Sequence, residues 1–297
     1  MQKERNNFKI DFIGIGAVKC ATTWISKCLD EHPQICLSRI KEVRFFNNVK
    51  KYRRGIDWYK SYFKNCPDDS IKGEFTPGYM NFNQVAERIK RLFPNAKLIV
   101  SLRNPIERAY SDYWYSKVRG FELNEFKKAI KENSRYVEWG FYYKKLKPFF
   151  ELFPKENILV LIYEDITKNP LKFIQKIYHF LGVDKNFIPP SINKKIWTTS
   201  ENQFPFAGLN RIIIRSIKIS KKNIFLKKIA LLASSLGLKK VLSLMYRIGG
   251  MGRKMEGVKS LPKPPIEESV RKCLQQIYKN DIRNLEKLIG RDLSFWK

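Results

Sequence analysis

The sequence predicts an α/β fold: a parallel sheet with helices on both faces, followed by a helical C-terminal part. Three observations carry this. Short apolar runs bounded by turn residues (10–15, Ile71–Phe75, Lys97–Leu102, Ile158–Ile162) alternate with longer segments of helical period, the pattern of strands covered on both sides. The first run stops at Gly14 and Gly16, exposes Lys19 and re-enters an apolar-periodic segment through Thr22 and Thr23, the outline of a strand, a phosphate loop and a helix N-terminus. From about residue 197 the alternation gives way to basic, apolar helical segments.

Taken in order, Thr22–Asp30 reads as a helix ended by Glu31-His32-Pro33, because the residue before proline is pushed out of the α region. Residues 34–37 form a short strand. Lys41-Glu42-Val43-Arg44-Phe45-Phe46 then sets charges before an aromatic pair, and 52–63 is aromatic and helical. Strand Ile71–Phe75 runs into the turn Thr76-Pro77-Gly78-Tyr79. Residues 84–93 are helical and lead through Pro94-Asn95-Ala96 to strand Lys97–Leu102, with Arg103 at its carboxyl end. Asn104, Pro105 and Glu107 supply an N-cap, a proline at N1 and an acid at N3, opening a helix through Ser111 towards Lys117. A helix over 141–153 leads to strand Ile158–Ile162. Asn169-Pro170 opens a helix over 171–181, closed by Gly182. Lys19, Glu74 and Arg103 therefore all fall at carboxyl ends of strands, where parallel sheets bind their ligands. Beyond residue 197 come the basic segment 211–253, the stiff linker Leu261-Pro262-Lys263-Pro264-Pro265 and an amphipathic helix over 266–289. The expected organisation is one domain over 1–297, with a cofactor-binding core over 1–196 and a helical lid and C-terminal helix over 197–297.

Composition narrows the partners. Lys+Arg 58 against Asp+Glu 28 gives a net charge of +30, a field that draws polyanions: nucleic acid, acidic lipid surfaces, sulfated or phosphorylated ligands. The cysteines (Cys20, Cys28, Cys36, Cys66, Cys273) are odd in number and lack a C-x-x-C pair, and only His32 and His179 could add imidazoles. A zinc site is disfavoured, and free thiols in a reducing compartment are the expectation. The N-terminus has no apolar core of a signal peptide, and no apolar run reaches the roughly 18 residues of a membrane span. The expected location is the cytoplasm, with peripheral contact to an anionic membrane as one reading of 211–253, a lid over the acceptor as the favoured one, and a solvated basic face as the third.

An anion loop, an arginine at a second strand end and a paired-charge segment between them suit a ligand with two separated anionic groups. Neither G-x-x-x-x-G-K-[ST] nor G-x-G-x-x-G fits Gly14-x-Gly16-x-x-Lys19. The chain instead resembles the sulfotransferases that use 3′-phosphoadenosine 5′-phosphosulfate (PAPS), in their bacterial and carbohydrate-type branch. Gly14-x-Gly16-x-x-Lys19-x-x-Thr22-Thr23 is similar to their 5′-phosphosulfate loop, and Leu102-Arg103-Asn104-Pro105-x-x-Arg108-Ala109-Tyr110-Ser111 to their 3′-phosphate motif. Lys41-Glu42-x-x-Phe45-Phe46, Gly73-Glu74-x-Thr76-Pro77-x-Tyr79, Gly140-x-Tyr142, Phe153-Pro154-x-x-x-Ile158-Leu159-Val160-Leu161-x-Tyr163-Glu164-Asp165 and Gly290-Arg291-Asp292-Leu293-Ser294-x-Trp296 follow in the expected order. Two positions depart from the pattern: Ala21 stands where the loop usually has glycine, and Phe75 where many carbohydrate-type members have lysine.

The resemblance implies a P-loop NTPase-like fold and in-line transfer of a sulfuryl group from PAPS to a hydroxyl acceptor (carbohydrate, lipid or small molecule), releasing the bisphosphate product PAP. It implies that Lys19 neutralises the leaving phosphate oxygen, that Lys19, Cys20, Ala21, Thr22, Thr23 and Trp24 hold the 5′ end, that Arg103 and Ser111 hold the 3′-phosphate, and that Glu42 is the general base, with Glu74 its rival. Glu74, Phe75 and Tyr79 are expected on the acceptor side. No metal is required and no nucleic acid is expected as a partner. The rival readings are a P-loop kinase, which would demand Mg²⁺, and a basic module that binds nucleic acid or membrane without catalysis. His32 and His179 read as structural, and Cys20 as a small neutral filler.

Overall fold

The computed structural model describes residues 8–194 and 263–296; the basic segment 211–253 lies outside them. Its centre is a five-stranded sheet in the order β2-β3-β1-β4-β5, every pairing parallel. The strands are β1 (Phe12–Gly16), β2 (Ile35–Leu37), β3 (Ile71–Phe75), β4 (Lys97–Leu102) and β5 (Ile158–Ile162). The chain lays down β2 and β3 on one side of β1, then crosses to the other side for β4 and β5. The order reverses between β1 and β4, the kind of point at which open parallel sheets bind their ligands.

The described helices are α1 (Thr22–Asp30), α2 (Val49–Tyr52), α3 (Gly55–Lys60), α4 (Gln84–Leu92), α5 (Pro105–Val118), α6 (Phe126–Glu132), α7 (Arg135–Glu138), α8 (Tyr142–Leu152), α9 (Glu164–Lys168), α10 (Pro170–Leu181) and α11 (Glu268–Ile289). Helix α1 packs with α10 over the sheet. Trp24 lies 5.9 Å from Phe173 between ring centroids, and Phe12, Ile25, Ile99, Leu161, Ile174 and Ile177 join the same buried cluster. The expected caps are in place. Asn104 Oδ1 accepts from the Ile106 amide at 2.9 Å, Asn169 Oδ1 accepts from Lys172 at 2.8 Å, and Gly182 ends α10 with φ 78°, a left-handed position that costs glycine nothing.

The chain clusters into two compact units. One comprises residues 1–109, 137–196 and 271–297 and contains the whole sheet; the other comprises 110–136 and 197–270. In the second, Tyr110 and Tyr113 pack on Phe126 with centroids 4.9 and 5.0 Å apart, and the Tyr110 hydroxyl donates to Pro264 O.

Three expectations are revised. The 52–63 segment is not one helix: α2 ends at Tyr52, α3 starts at Gly55, which takes φ 81°, and a short 3₁₀ turn covers Ser61–Phe63. Strand β1 runs through Gly16 instead of stopping at Ile15. The cysteines are not all free thiols: Cys36 and Cys66 are joined in a disulfide across 30 residues, while Cys20, Cys28 and Cys273 are free. The pairing joins strand β2 to a turn distant in sequence, which spacing alone does not show. His32, expected to be structural, is buried, with Nε2 bonded to Asp184 O at 2.9 Å and Nδ1 accepting from the Gln34 amide at 3.2 Å.

Candidate active site

The loop between β1 and α1 is shaped by packing at its start and by backbone at its end. A Cβ on Gly14 would come within 2.0 Å of the Phe75 ring, and one on Gly16 within 2.2 Å of Met80 Sδ. These glycines therefore let β3 and the following turn close on β1; the loop itself begins after them. Lys19 and Ala21 both take left-handed φ, 69° and 59°. Ala21 is the N-cap of α1 and supplies no side-chain cap. Its conformation is the physical reason a glycine is usual there, and a methyl group at such a position costs of order 1 kcal/mol. The first helical bond runs from the Ile25 amide to Ala21 O at 3.0 Å, so the amides of Thr22, Thr23 and Trp24 have no intrahelical acceptor. With the helix dipole behind them they form an anion cradle. The Trp24 side chain is turned away into the core, its Nε1 donating to Ser191 O at 3.2 Å. Cys20 is buried, and burial pushes its thiol up to about 12 against the pull of the Arg108 and Arg103 guanidiniums. It is a filler with no thiolate character.

Arg103 follows β4, the strand next to β1. Its main chain is fixed on several sides: the Tyr142 hydroxyl donates to Arg103 O at 2.9 Å, the neighbouring Asn104 amide donates to Glu164 Oε1 at 2.9 Å, and Asn104 Nδ2 donates to Trp296 O at 3.2 Å. The guanidinium lies 4.6 Å from the centroid of the Tyr163 ring. Four residues of the family-like motifs thus converge on the Arg103-Asn104 pair: Tyr142 and Tyr163 on the arginine, Glu164 and Trp296 on the asparagine. Ser111 lies on α5, within the other compact unit.

Glu42 lies on the segment between β2 and α2, in left-handed conformation with φ 65°. Its Oε2 accepts from Arg44 Nε at 3.0 Å and from an Arg44 terminal nitrogen at 2.6 Å, and Oε1 is 3.8 Å from Lys41 Nζ. It remains one-third exposed. Glu74, Phe75 and Tyr79 have 0, 2 and 0% of their surface exposed. Phe75 packs edge-on against Phe12, and Glu74 accepts from three hydroxyls: Tyr59 at 3.1 Å, Tyr79 at 2.6 Å and Thr76 at 2.7 Å. Burial raises its pKa above the usual carboxylate value while those hydroxyls pull it down.

The family model described as "Sulfotransferase domain" matches residues 9–216. This chain is a member of the sulfotransferase domain family. Among solved structures, a sulfotransferase from Alicyclobacillus acidocaldarius superimposes with a TM-score of 0.68 at 21% identity, covering 97% of this chain and 99% of that one; that likeness shows the P-loop-like α/β fold. Among curated relatives, "Membrane-associated sulfotransferase kil1" of Dictyostelium discoideum is 39% identical over 109 residues, 36% of this chain and 23% of the relative. "Bifunctional heparan sulfate N-deacetylase/N-sulfotransferase 2" of Homo sapiens is 30% identical over 194 residues, 58% of this chain and 22% of the relative. "Heparan sulfate glucosamine 3-O-sulfotransferase 5" of Homo sapiens is 27% identical over 192 residues, 61% and 54%. The chain therefore spans between under a quarter and about half of the length of these relatives. Among the described residues, no helix is long and apolar enough to cross a membrane.

Proposed function

We propose that this sulfotransferase transfers a sulfuryl group from PAPS to a hydroxyl of a carbohydrate-type acceptor, with Glu42 as general base. The observation that carries the reading is the pairing of two anion-seeking features at the carboxyl ends of adjacent strands: the open amides of Thr22, Thr23 and Trp24 with Lys19 after β1, and Arg103 after β4. Two anion-seeking features on neighbouring strand ends suit a ligand with a 5′-phosphosulfate and a separate 3′-phosphate, and the residues present fit it. When bound, PAPS supplies the sulfuryl group and a bisphosphate leaving group.

The chain's own residues then have distinct tasks. Lys19 and the α1 amides would neutralise charge at the 5′ end as it develops, acting as preorganised dipoles that need no rearrangement. Arg103 would hold the 3′-phosphate through a two-pronged charge-assisted contact. Glu42 would accept the acceptor's proton through whichever oxygen Arg44 leaves open. The relatives named for heparan sulfate support a sugar hydroxyl as acceptor. The Cys36–Cys66 bridge favours an oxidising compartment over the cytoplasm, and the relative named as membrane-associated supports peripheral membrane contact.

The test is a thermal shift with PAP beside ATP·Mg²⁺ and sulfate at matched ionic strength. A ligand present at about 100 times its Kd adds roughly 2.7 kcal/mol, which is measurable. A shift specific to PAP, lost in Lys19→Ala and Arg103→Ala, is expected. A shift with ATP·Mg²⁺ in its place would overturn the reading in favour of a kinase.

A further inference from the structure

The segment carrying Glu42 is neither helix nor strand, yet the amides of Glu42, Arg44, Phe45 and Phe46 are all held. The Glu42 amide donates to Phe75 O at 3.2 Å. The Val43 amide lies close enough to the Glu74 carboxylate to lower its pKa. The Arg44 amide donates to Thr76 Oγ1 at 3.2 Å, and the amides of Phe45 and Phe46 reach the Tyr79 hydroxyl at 3.0 and 3.5 Å. Both Thr76 and Tyr79 hand their own protons to Glu74, to Oε2 and Oε1 respectively. A hydroxyl that donates to a carboxylate has its lone pairs turned to other donors, so Glu74 orients both hydroxyls towards the 44–46 amides. Two carbonyls of the segment are also taken: Lys51 Nζ donates to Val43 O at 2.6 Å and an Arg88 terminal nitrogen to Phe46 O at 2.6 Å.

This clamping has a purpose beyond packing. Glu42 and Arg44 both sit at left-handed φ, 65° and 57°, where a side-chain-bearing residue is disfavoured by roughly 1–2 kcal/mol. Such conformations persist only where surrounding bonds over-determine them, and they gather at functional sites. Here the two hydroxyls that hold the 44–46 amides trace back to one carboxylate with no exposed surface, which has no route to an acceptor in this structure.

We propose that Glu74 is a positioning residue for Glu42: an acceptor-only hub that fixes the 42–46 backbone and so aims the Glu42 carboxylate. This rests on Glu42 being the base. It moves Glu74 off the acceptor side and out of contention as a base in its own right. The carboxylate is required because it alone can receive the hydroxyls of Tyr59, Tyr79 and Thr76 together. An amide in its place turns one oxygen into a donor facing a donor, and at least one hydroxyl must rotate away from the segment.

The experiment compares Glu42→Gln, Glu74→Gln, Thr76→Val and the double Glu42→Gln/Glu74→Gln. Two readouts are used: hydrogen exchange of amides 42–46 against amides 22–25 in the PAP-bound protein, and turnover of PAPS with desulfated heparan polysaccharide as the acceptor probe. Glu74→Gln and Thr76→Val are expected to speed exchange at 42–46 only, to leave the PAP thermal shift in place, and to lower kcat by about 10- to 100-fold, the loss expected of a misplaced reacting group. In the Glu42→Gln background, Glu74→Gln is expected to add nothing, because a residue that acts through another loses its effect once that other is gone. Unchanged exchange at 42–46 in both single variants would overturn the proposal, as would losses that multiply in the double variant. If Glu74→Gln does not fold, Thr76→Val decides by the same readouts, since it removes one arm of the network and keeps side-chain shape. A fully active Glu42→Gln would remove the base assignment and the positioning role with it. An inactive Glu42→Gln beside fully active Glu74→Gln and Thr76→Val would sink the positioning role alone.

Discussion

The two sides of the proposed site are built by opposite means. The loop after β1 is made of main chain: amides at the start of α1, a left-handed Ala21, and one lysine. The segment carrying Glu42 is made of side chains from four other places in the sequence, Lys51, Tyr59, the 74–79 turn and Arg88, and is closed off by the Cys36–Cys66 bridge. A cradle of backbone dipoles is insensitive to most single substitutions, whereas a loop hung on side-chain hydrogen bonds depends on each of them. Binding should therefore be robust and turnover fragile, and the two should come apart on mutation.

The largest separation is expected from Glu42→Gln. Removing a positioned base costs typically 10²- to 10⁴-fold in rate, while the PAP thermal shift should be that of the wild type. Measuring kcat beside PAP affinity checks it; retained turnover would transfer the base role elsewhere. Next is the bridge. A disulfide closing a loop of 30 residues contributes about 3–4 kcal/mol through the unfolded chain. Cys36→Ser should lower the urea midpoint accordingly, with PAP affinity per folded molecule kept. An equal loss of PAP affinity would mean that the two sides are coupled after all.

The same contrast explains what the sequence disclosed. Strands β3, β4 and β5 and helix α1 agree with their expected bounds to the residue, because apolar runs, proline and cap residues act within a few positions. Lys19 and Arg103 were legible for the same reason: each follows directly from a strand end. The motif glycines were misread in purpose. Gly14 looked like a loop glycine, yet its missing side chain makes room for Phe75, a contact between residues 61 positions apart. The Glu74 hub and the bridge were not legible at all, since hydroxyls, carboxylates and thiols carry no period that says which will meet. Tyr142 and Trp296 stand in motif positions, but that one meets the Arg103 carbonyl and the other the Asn104 side chain follows only from the folded chain.

Arg103→Ala sharpens the binding side. Hydrogen bonds to charged groups are worth about 1.5–3 kcal/mol, so PAP should bind roughly 10- to 100-fold more weakly, with a smaller loss for adenosine 5′-phosphosulfate, which has no 3′-phosphate. Equal losses for both ligands would show that Arg103 serves the 5′ end or only the fold.

The smallest effect tests whether the binding side also depends on remote side chains. Asp165 on α9 accepts from Arg291 at 2.7 Å, and this hydrogen bond, with the nearby charge of Lys176, holds its carboxyl below the usual 3.8 against partial burial. The pair anchors the C-terminal tail whose Trp296 carbonyl receives Asn104. A carboxylate with a depressed folded pKa stabilises the fold fully above its unfolded value and loses that contribution as pH falls through the folded one. Because both side chains keep some solvent contact, the contribution at neutral pH is about 1 kcal/mol or less. Asp165→Asn should therefore lower the urea midpoint slightly at pH 7, and the two proteins should converge as the pH is taken well below 3.8. PAP affinity should barely change, since Tyr142 and Glu164 still hold Arg103 and Asn104. A gap that persists in acid would assign the loss to packing, and a clear fall in PAP affinity would show that the arginine, like Glu42, hangs on a distant side chain.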